Sequence, residues 1–214
     1  MKWQQPGPTE RLGRIPREQR QQRHRDIVQA AADELVDRGY EGLTMARVAS
    51  RSRASKETLY SWFGDKDGLL QAVIAAQAEQ VTHLLSPLTE QPVPAAAEVR
   101  DALHAVGEAL LEVFTAEVPI TMCRVAATSP SLSRRLREDG HLRALPMVVG
   151  YFTRLAQAGV LHLPDPAEAV SVFYGLVFRE TLLGRLLGDE QPSAESRSRH
   201  VAAGVDAFLR LTEA

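Results

Sequence analysis

Two short helical segments in immediate succession constrain the N-terminal third of this chain more than any other feature. Thr44 stands as an N-cap candidate before Met45, Val48 and Ala49, which share one helical face. The pattern breaks around residues 52–54, and Ser55 then offers a second cap to a segment over about residues 56–63. An advance of roughly 100° per residue buries Leu59 and Phe63 in that segment and turns Glu57, Tyr60 and Ser61 outward.

Helical spacing continues on both sides. From Arg17 onward Ile27, Ala31 and Leu35 recur at helical intervals, Val28 and Ala32 widen the stripe, and Gly39 marks the stop. Asp65 can cap a fourth, longer helix carrying Leu69, Leu70, Val73 and Ile74. The prolines between Pro87 and Pro94 should exclude helix continuation, after which helical periodicity returns over residues 95–116, 120–128, 131–158, 166–187 and 194–211. Ser129 with Pro130, and Asp165 with Pro166 and Glu168, have the cap, N1 proline and early acid of helix starts. Pro146 should kink or break its helix, with Gly140 as a second weak point. No segment alternates as a strand, so the expectation is an all-α chain.

Hydrophobic residues make up 44% and charged residues 24% of the 214, the balance of a globular protein with a substantial core. Cys123, the single cysteine, excludes an internal disulfide, and the Arg/Gln-rich N-terminus lacks the apolar run of a secretory signal. No stretch approaches the roughly 20 apolar residues of a membrane span. A cytoplasmic location without membrane attachment follows as an expectation. The formal charge of −2 is uneven: residues 1–66 hold 13 Lys/Arg against 9 Asp/Glu, net +4, leaving −6 for the remainder. A basic end on a mildly acidic protein suits a polyanionic partner, or is a solvated basic tail. Enzyme signatures are missing: the sequence has no His-x-x-x-His, Cys-x-x-Cys, Gly-rich phosphate loop or Gly-x-Ser-x-Gly set, and its one Glu-x-x-His, Glu138 to His141, has no second copy with which to form a metal-ligand set. No cofactor or metal is expected.

Two short helices joined by a tight turn, with a polar face on the second, have the geometry that fits a helix into a DNA major groove. The residues are more specific than the geometry. Leu43-Thr44-Met45-Ala46-Arg47-Val48-Ala49, then Ser55-Lys56-Glu57-Thr58-Leu59-Tyr60-Ser61-Trp62-Phe63, then Gly64-Asp65-Lys66-Asp67-Gly68-Leu69-Leu70, resemble the DNA-binding signature of the TetR/AcrR family of transcriptional regulators. The match covers about residues 23–74, while the C-terminal part matches only in its succession of helices. One departure lies in the turn, where the family's Ala-Gly-Val is replaced by Ser52-Arg53-Ala54. Arg53 there either takes the left-handed conformation that glycine favours or the turn is reshaped.

The resemblance implies an N-terminal three-helix helix-turn-helix DNA-binding domain and a larger C-terminal helical domain for ligand binding and dimerisation. The expected division is a flexible basic arm over residues 1–16, a DNA-binding unit over 17–66 and a ligand-binding and dimerisation unit over 67–214, the fourth helix linking both. It further implies a homodimer that grips a palindromic double-stranded operator and is released when a partly apolar small-molecule effector enters the C-terminal domain. Repression is the family's commoner mode. The regulator would be cytoplasmic and nucleoid-associated when DNA-bound. The rival readings are an enzyme, or a helical interaction or sensor protein that has lost DNA binding.

By this resemblance Tyr60 meets a phosphate or base, and Lys66 meets a phosphate at the start of the fourth helix. Thr44 and Arg47 suit phosphate clamping or, alternatively, plain capping and solvation. Ser55, Lys56, Glu57, Thr58 and Ser61 could read base edges, with Lys suited to guanine and Glu to cytosine. Trp62 lies between core and groove, and Arg53 could add a phosphate contact. Arg11, Arg14, Arg17, Arg20, Arg23 and Arg25 either enter a flanking minor groove or attract the duplex generally. Around the effector, the resemblance places Phe114, Met122, Cys123, Phe152, Phe173 and Phe178, with His104, Arg124, His141 and Tyr174 as polar anchors. Core packing is the competing role for each apolar residue, and Cys123 is either a small hydrophobe or a redox sensor. The helix over residues 166–187 is apolar on more than one face through Val170, Phe173, Leu176, Val177, Leu182, Leu183 and Leu186. With Val201, Val205, Phe208 and Leu209, that surplus fits either a two-fold four-helix interface or a monomer core.

Overall fold

The computed structural model describes residues 17–212, and for residues 139–144 the backbone alone. The expected arm over residues 1–16, with Arg11 and Arg14, lies outside the described residues. Among those described there is no strand, and ten α-helices follow in order: α1 (Arg17–Gly42), α2 (Met45–Arg51), α3 (Lys56–Phe63), α4 (Lys66–Thr89), α5 (Val99–Phe114), α6 (Glu117–Ala127), α7 (Pro130–Arg135), α8 (Leu142–Gln157), α9 (Pro166–Leu187) and α10 (Ala194–Thr212). A 3₁₀ turn (Ala96–Glu98) leads into α5, and a π-helical turn (Leu136–His141) joins α7 to α8.

Two clusters of buried side chains organise these helices. The first gathers Ile27, Val28, Leu35, Leu43, Val48, Leu59, Phe63, Leu69 and Val73 of α1–α4 and admits Met122 of α6 and Leu132 of α7. The second joins Val81 and Leu85 of α4 to Leu103, Leu110, Val148, Phe152, Phe173, Val205 and Phe208 of α5, α8, α9 and α10. α4 contributes to both, so one rod about 36 Å long, at 1.5 Å per residue over 24 residues, runs from one core into the other.

Proline and glycine act differently from the expectation in two places. α4 does not end at Pro87 but continues to Thr89: the proline ring is exposed, and the Glu90 amide that follows the helix still donates to Ser86 O at 2.9 Å. α8 likewise runs through Pro146, and the irregularity lies just upstream, in the π-helical turn that contains Gly140. That wider turn ends where the proline ring must avoid the carbonyl four residues back, at Leu142. Gly39, at φ 66°, breaks α1 as the sequence suggests. α9 is bent without any such residue, at Arg179 with φ 36° and ψ −136°, and His200 Nε2 lies 3.0 Å from the Val177 carbonyl oxygen beside the bend.

The apolar surplus of α9 and α10 divides between the chain's own core and its surface. Val201, Val205, Phe208 and Leu209 are buried within the chain's own core, together with Val170, Phe173 and Val177. Leu183 (58% exposed) and Leu187 (78%) at the end of α9 and Leu211 (68%) of α10 remain uncovered. Gly204 allows the α9–α10 crossing, since a Cβ there would sit 2.8 Å from the Leu176 carbonyl oxygen.

Candidate functional site

The α2–turn–α3 unit is fixed by its own polar residues. The Thr44 hydroxyl accepts from Arg47 N at 3.3 Å and starts α2, while Ser52 Oγ donates to Val48 O at 2.7 Å at its end. Arg53 takes the left-handed conformation at φ 53°, so the motif's geometry survives without glycine. Its carbonyl accepts from the Arg23 guanidinium, which ties the turn to α1. Ser55 then caps α3, accepting from Thr58 N at 3.1 Å, with Thr58 Oγ1 3.0 Å from Ser55 Oγ. Leu59 and Phe63 are buried beneath, and each such anchor stabilises the fold by about 1.5–3 kcal/mol.

With that side fixed, the opposite side of α3 faces outward. Lys56, Glu57 and Ser61 are exposed, and Tyr60 is 55% exposed, an unusual state for an aromatic without a partner surface. Thr58 is half-buried, whereas Thr44, Arg47 and Arg53 are exposed. The Glu57 backbone N–H and the Ser55 hydroxyl hold the Glu57 carboxyl below its ordinary value, so it presents an acceptor. Trp62 is half-buried against α1: it stacks on His24 at 6.0 Å, with the Arg20 guanidinium 5.5 Å from its ring centroid. Arg51, also basic and exposed, turns back to α1, 3.0 Å from Glu34 and 2.7 Å from Asp37.

α4 begins with the Asp65 cap, which accepts from Gly68 N at 2.9 Å. Gly68 is required there, since a Cβ would collide with the Phe63 carbonyl at the end of α3. Lys66 Nζ sits 3.8 Å from the ring centroid of Tyr40, whose hydroxyl donates to Asp67 Oδ1 at 2.6 Å. Tyr40 belongs to no motif in the sequence; its only local signal is an aromatic directly after the helix-stopping Gly39.

Beginning two turns beyond Lys66, the same helix walls a cavity of about 470 Å³. Ile74, Gln77, Ala78 and Val81 form that wall; Val113 and Phe114 of α5, Pro119, Met122 and Cys123 of α6, and Tyr174, Phe178 and Leu182 of α9 close it. Phe178 meets Phe114 edge-on at 5.6 Å and Tyr174 at 5.4 Å. Burial pushes the Tyr174 phenol up to about 12 and raises the Cys123 thiol, so both groups are neutral in a largely apolar space. Arg137, in the π-helical turn, is the one charged side chain among the described lining residues.

Five residues singled out from the sequence therefore meet at this cavity: Phe114, Met122, Cys123, Tyr174 and Phe178. Others lie elsewhere. Phe152 and Phe173 are fully buried in an aromatic triad with Phe208, with centroids 5.3–5.6 Å apart. His104 Nε2 is 3.2 Å from Ser198 O, tying α5 to α10. Arg124 donates to Leu186 O at 3.0 Å and Arg185 O at 2.6 Å, closing the end of α9. The side chain of His141 is outside the described residues. The α4 wall and Arg137 were not singled out, because alternation on a helix does not reveal which of two neighbouring cores a residue faces.

Comparison with known proteins settles what this architecture belongs to. Residues 27–73 match the description "Bacterial regulatory proteins, tetR family", and residues 101–211, over half the chain, match "AefR-like transcriptional repressor, C-terminal domain". The chain belongs to the TetR family. A TetR-family regulator from Mesorhizobium loti superposes with a TM-score of 0.80 at 26% identity, covering 89% of this chain and 96% of that one. The flavonoid-responsive regulator FrrA gives 0.66 at 26% identity, covering 89% and 97%. The HTH-type transcriptional regulator YvkB of Bacillus subtilis is 25% identical over 168 residues, 76% of this chain and 83% of its own. As a TetR-family member the chain is a DNA-binding transcriptional regulator, with an N-terminal helix-turn-helix and a C-terminal helical domain. Among the described residues, no helix is long and apolar enough to cross a membrane.

Proposed function

We propose that this TetR-family protein is a homodimeric, cytoplasmic repressor that leaves a palindromic operator when a mostly apolar small molecule occupies the cavity between α4, α5, α6 and α9. The single observation behind this reading is that α4 carries Lys66 at the end of the DNA-binding unit and Ile74, Gln77, Ala78 and Val81 in the cavity wall. A ligand that fits only when α4 has shifted favours a spacing of the two recognition helices that does not match DNA, and its differential affinity for the two states sets the release. The two α3 helices of a dimer would lie about 34 Å apart, one turn of DNA. Residues 17–66 would serve DNA and residues 67–214 ligand and partner, with Thr44, Arg47, Arg53, Lys56, Tyr60 and Lys66 on phosphates and base edges.

Two further points support the effector's character. The cavity size falls in the range of small-molecule pockets, and Arg137, the one charged side chain among its described lining residues, can orient a single acceptor on an otherwise apolar molecule. The solved relative FrrA is described as flavonoid-responsive.

The test is an anisotropy titration against the DNA upstream of the protein's own gene. With about 6–10 phosphate contacts, affinity should fall by roughly 10³–10⁵ between 50 and 200 mM salt. Cys123→Trp, which fills the cavity, should keep DNA binding and lose response to an inducing compound. Salt-independent binding, or a Trp variant that responds like the parent, refutes the reading.

A further inference from the structure

We propose that Tyr40 is a positioning residue for DNA binding: its ring holds the Lys66 ammonium at the mouth of α4, where that ammonium meets a backbone phosphate. The inference rests on the proposed phosphate role of Lys66 and adds a residue that lies in neither short helix.

Lysine is a flexible point charge with four rotatable carbons, and fixing it at a phosphate costs conformational entropy. Here that cost is met before DNA arrives. Lys66 Nζ lies 3.8 Å from the centroid of the Tyr40 ring, well inside the distance at which a cation is attracted to an aromatic face. Tyr40 is itself held at both ends. Its backbone follows the break at Gly39, and its hydroxyl donates to Asp67 Oδ1 at 2.6 Å. That bond, with burial and the nearby carboxylates, pushes the phenol up to about 12, so it stays a neutral donor at working pH. Asp67, one residue beyond Lys66, is thereby engaged by the tyrosine hydroxyl.

The arrangement also places the ammonium beside the first turn of α4, whose free backbone amides favour an anion. Half-buried Tyr40 packs on the cluster that includes Leu59 and Phe63, so the ring shares its foundation with the recognition helix. The ammonium and the α3 face therefore keep one mutual geometry. A lysine without the ring has the same charge and a broader distribution of positions.

A double-mutant cycle on full-length protein, read as affinity for operator duplex at fixed salt, tests the inference. Tyr40→Leu should weaken binding by about 2- to 5-fold per protomer, the effect of an exposed cation–aromatic pair. Lys66→Met should weaken it more and reduce the salt slope by about one per protomer. In the Lys66→Met background, Tyr40→Leu should cost nothing further, and Tyr40→Phe, which keeps the ring, should bind within 2-fold of the parent. Equal cost of Tyr40→Leu in both backgrounds, or Tyr40→Phe as weak as Tyr40→Leu, overturns the inference and leaves the phosphate role of Lys66 standing. An unchanged salt slope in Lys66→Met overturns that role itself. Should Tyr40→Leu fail to fold, phenylalanines of increasing ring fluorination at position 40 keep the shape and weaken only the ring face; affinity should fall stepwise with fluorination, and a flat series overturns the inference.

Discussion

Arg185 Nε donates to the buried Thr115 carbonyl at 3.0 Å, joining the end of α9 to the turn between α5 and α6. The guanidinium is 4% exposed and also reaches the Asp189 carbonyl and the Glu117 carboxylate, while the Arg185 carbonyl accepts from Arg124. Glu117 is 55% exposed, so its ion pair contributes only about 0–1 kcal/mol. The carbonyl bonds carry the stabilisation. Arg185→Met should therefore cost about 2–3 kcal/mol in urea unfolding, against less than about 1 for Glu117→Gln. Equal losses would show that the ion pair, not the backbone, holds this corner.

Arg53 occupies a left-handed conformation at an exposed position, which separates backbone strain from side-chain function. Arg53→Gly should be about 1 kcal/mol more stable than Arg53→Ala, because only alanine retains the Cβ clash. Both should lose the same operator affinity if the guanidinium meets a phosphate. Thermal unfolding beside anisotropy gives the two readings from one pair of variants.

Tyr174 and Tyr40 give the protein an alkaline limit. Each phenol is pushed up to about 12 from an ordinary value of 10, by burial for Tyr174 and chiefly by the Asp67 bond for Tyr40. The folded value exceeds the unfolded one, so the neutral phenol favours the fold; that contribution is complete below pH 10 and is lost as pH rises through 12. Stability measured by denaturant between pH 9 and 12 should fall across this window. Tyr174→Phe should flatten the fall, and an unaltered slope would contradict the burial argument.

Leu183 and Leu187 are the exposed apolar residues at the end of α9. Leu183→Glu with Leu187→Glu should convert a dimer to monomer in light scattering and weaken operator binding at least tenfold, with helical content unchanged. A dimer that persists would move the interface to another face.

The helix-turn-helix was legible because its determinants are local. Thr44, Ser55 and Asp65 each cap a helix through a bond spanning three residues, and Leu59 and Phe63 lie four apart on one side. Arg53 was legible as a question, and the φ of 53° answers it. The cavity was legible only in part. Phe114, Phe173 and Phe178 look alike along the chain, yet Phe173 fills the core and the other two line the cavity, a distinction set by how α5, α9 and α10 cross. The bend at Arg179 has no proline or glycine to announce it. Tyr40 escaped notice because its partners, Lys66 and Asp67, lie 26 and 27 residues away.

The shared helix α4 has a mechanical consequence. Lys66 stands eleven residues from Gln77 in the cavity wall, about 16 Å at 1.5 Å per residue. A tilt of about 10° with its fulcrum level with Gln77 would sweep Lys66 by about 3 Å, the length of a hydrogen bond. Gly68 lets α4 press directly on the end of α3, so the recognition surface would travel with the lever and not lag behind it. A molecule needing only a slightly wider berth between α4 and α9 would thus act on the operator with leverage.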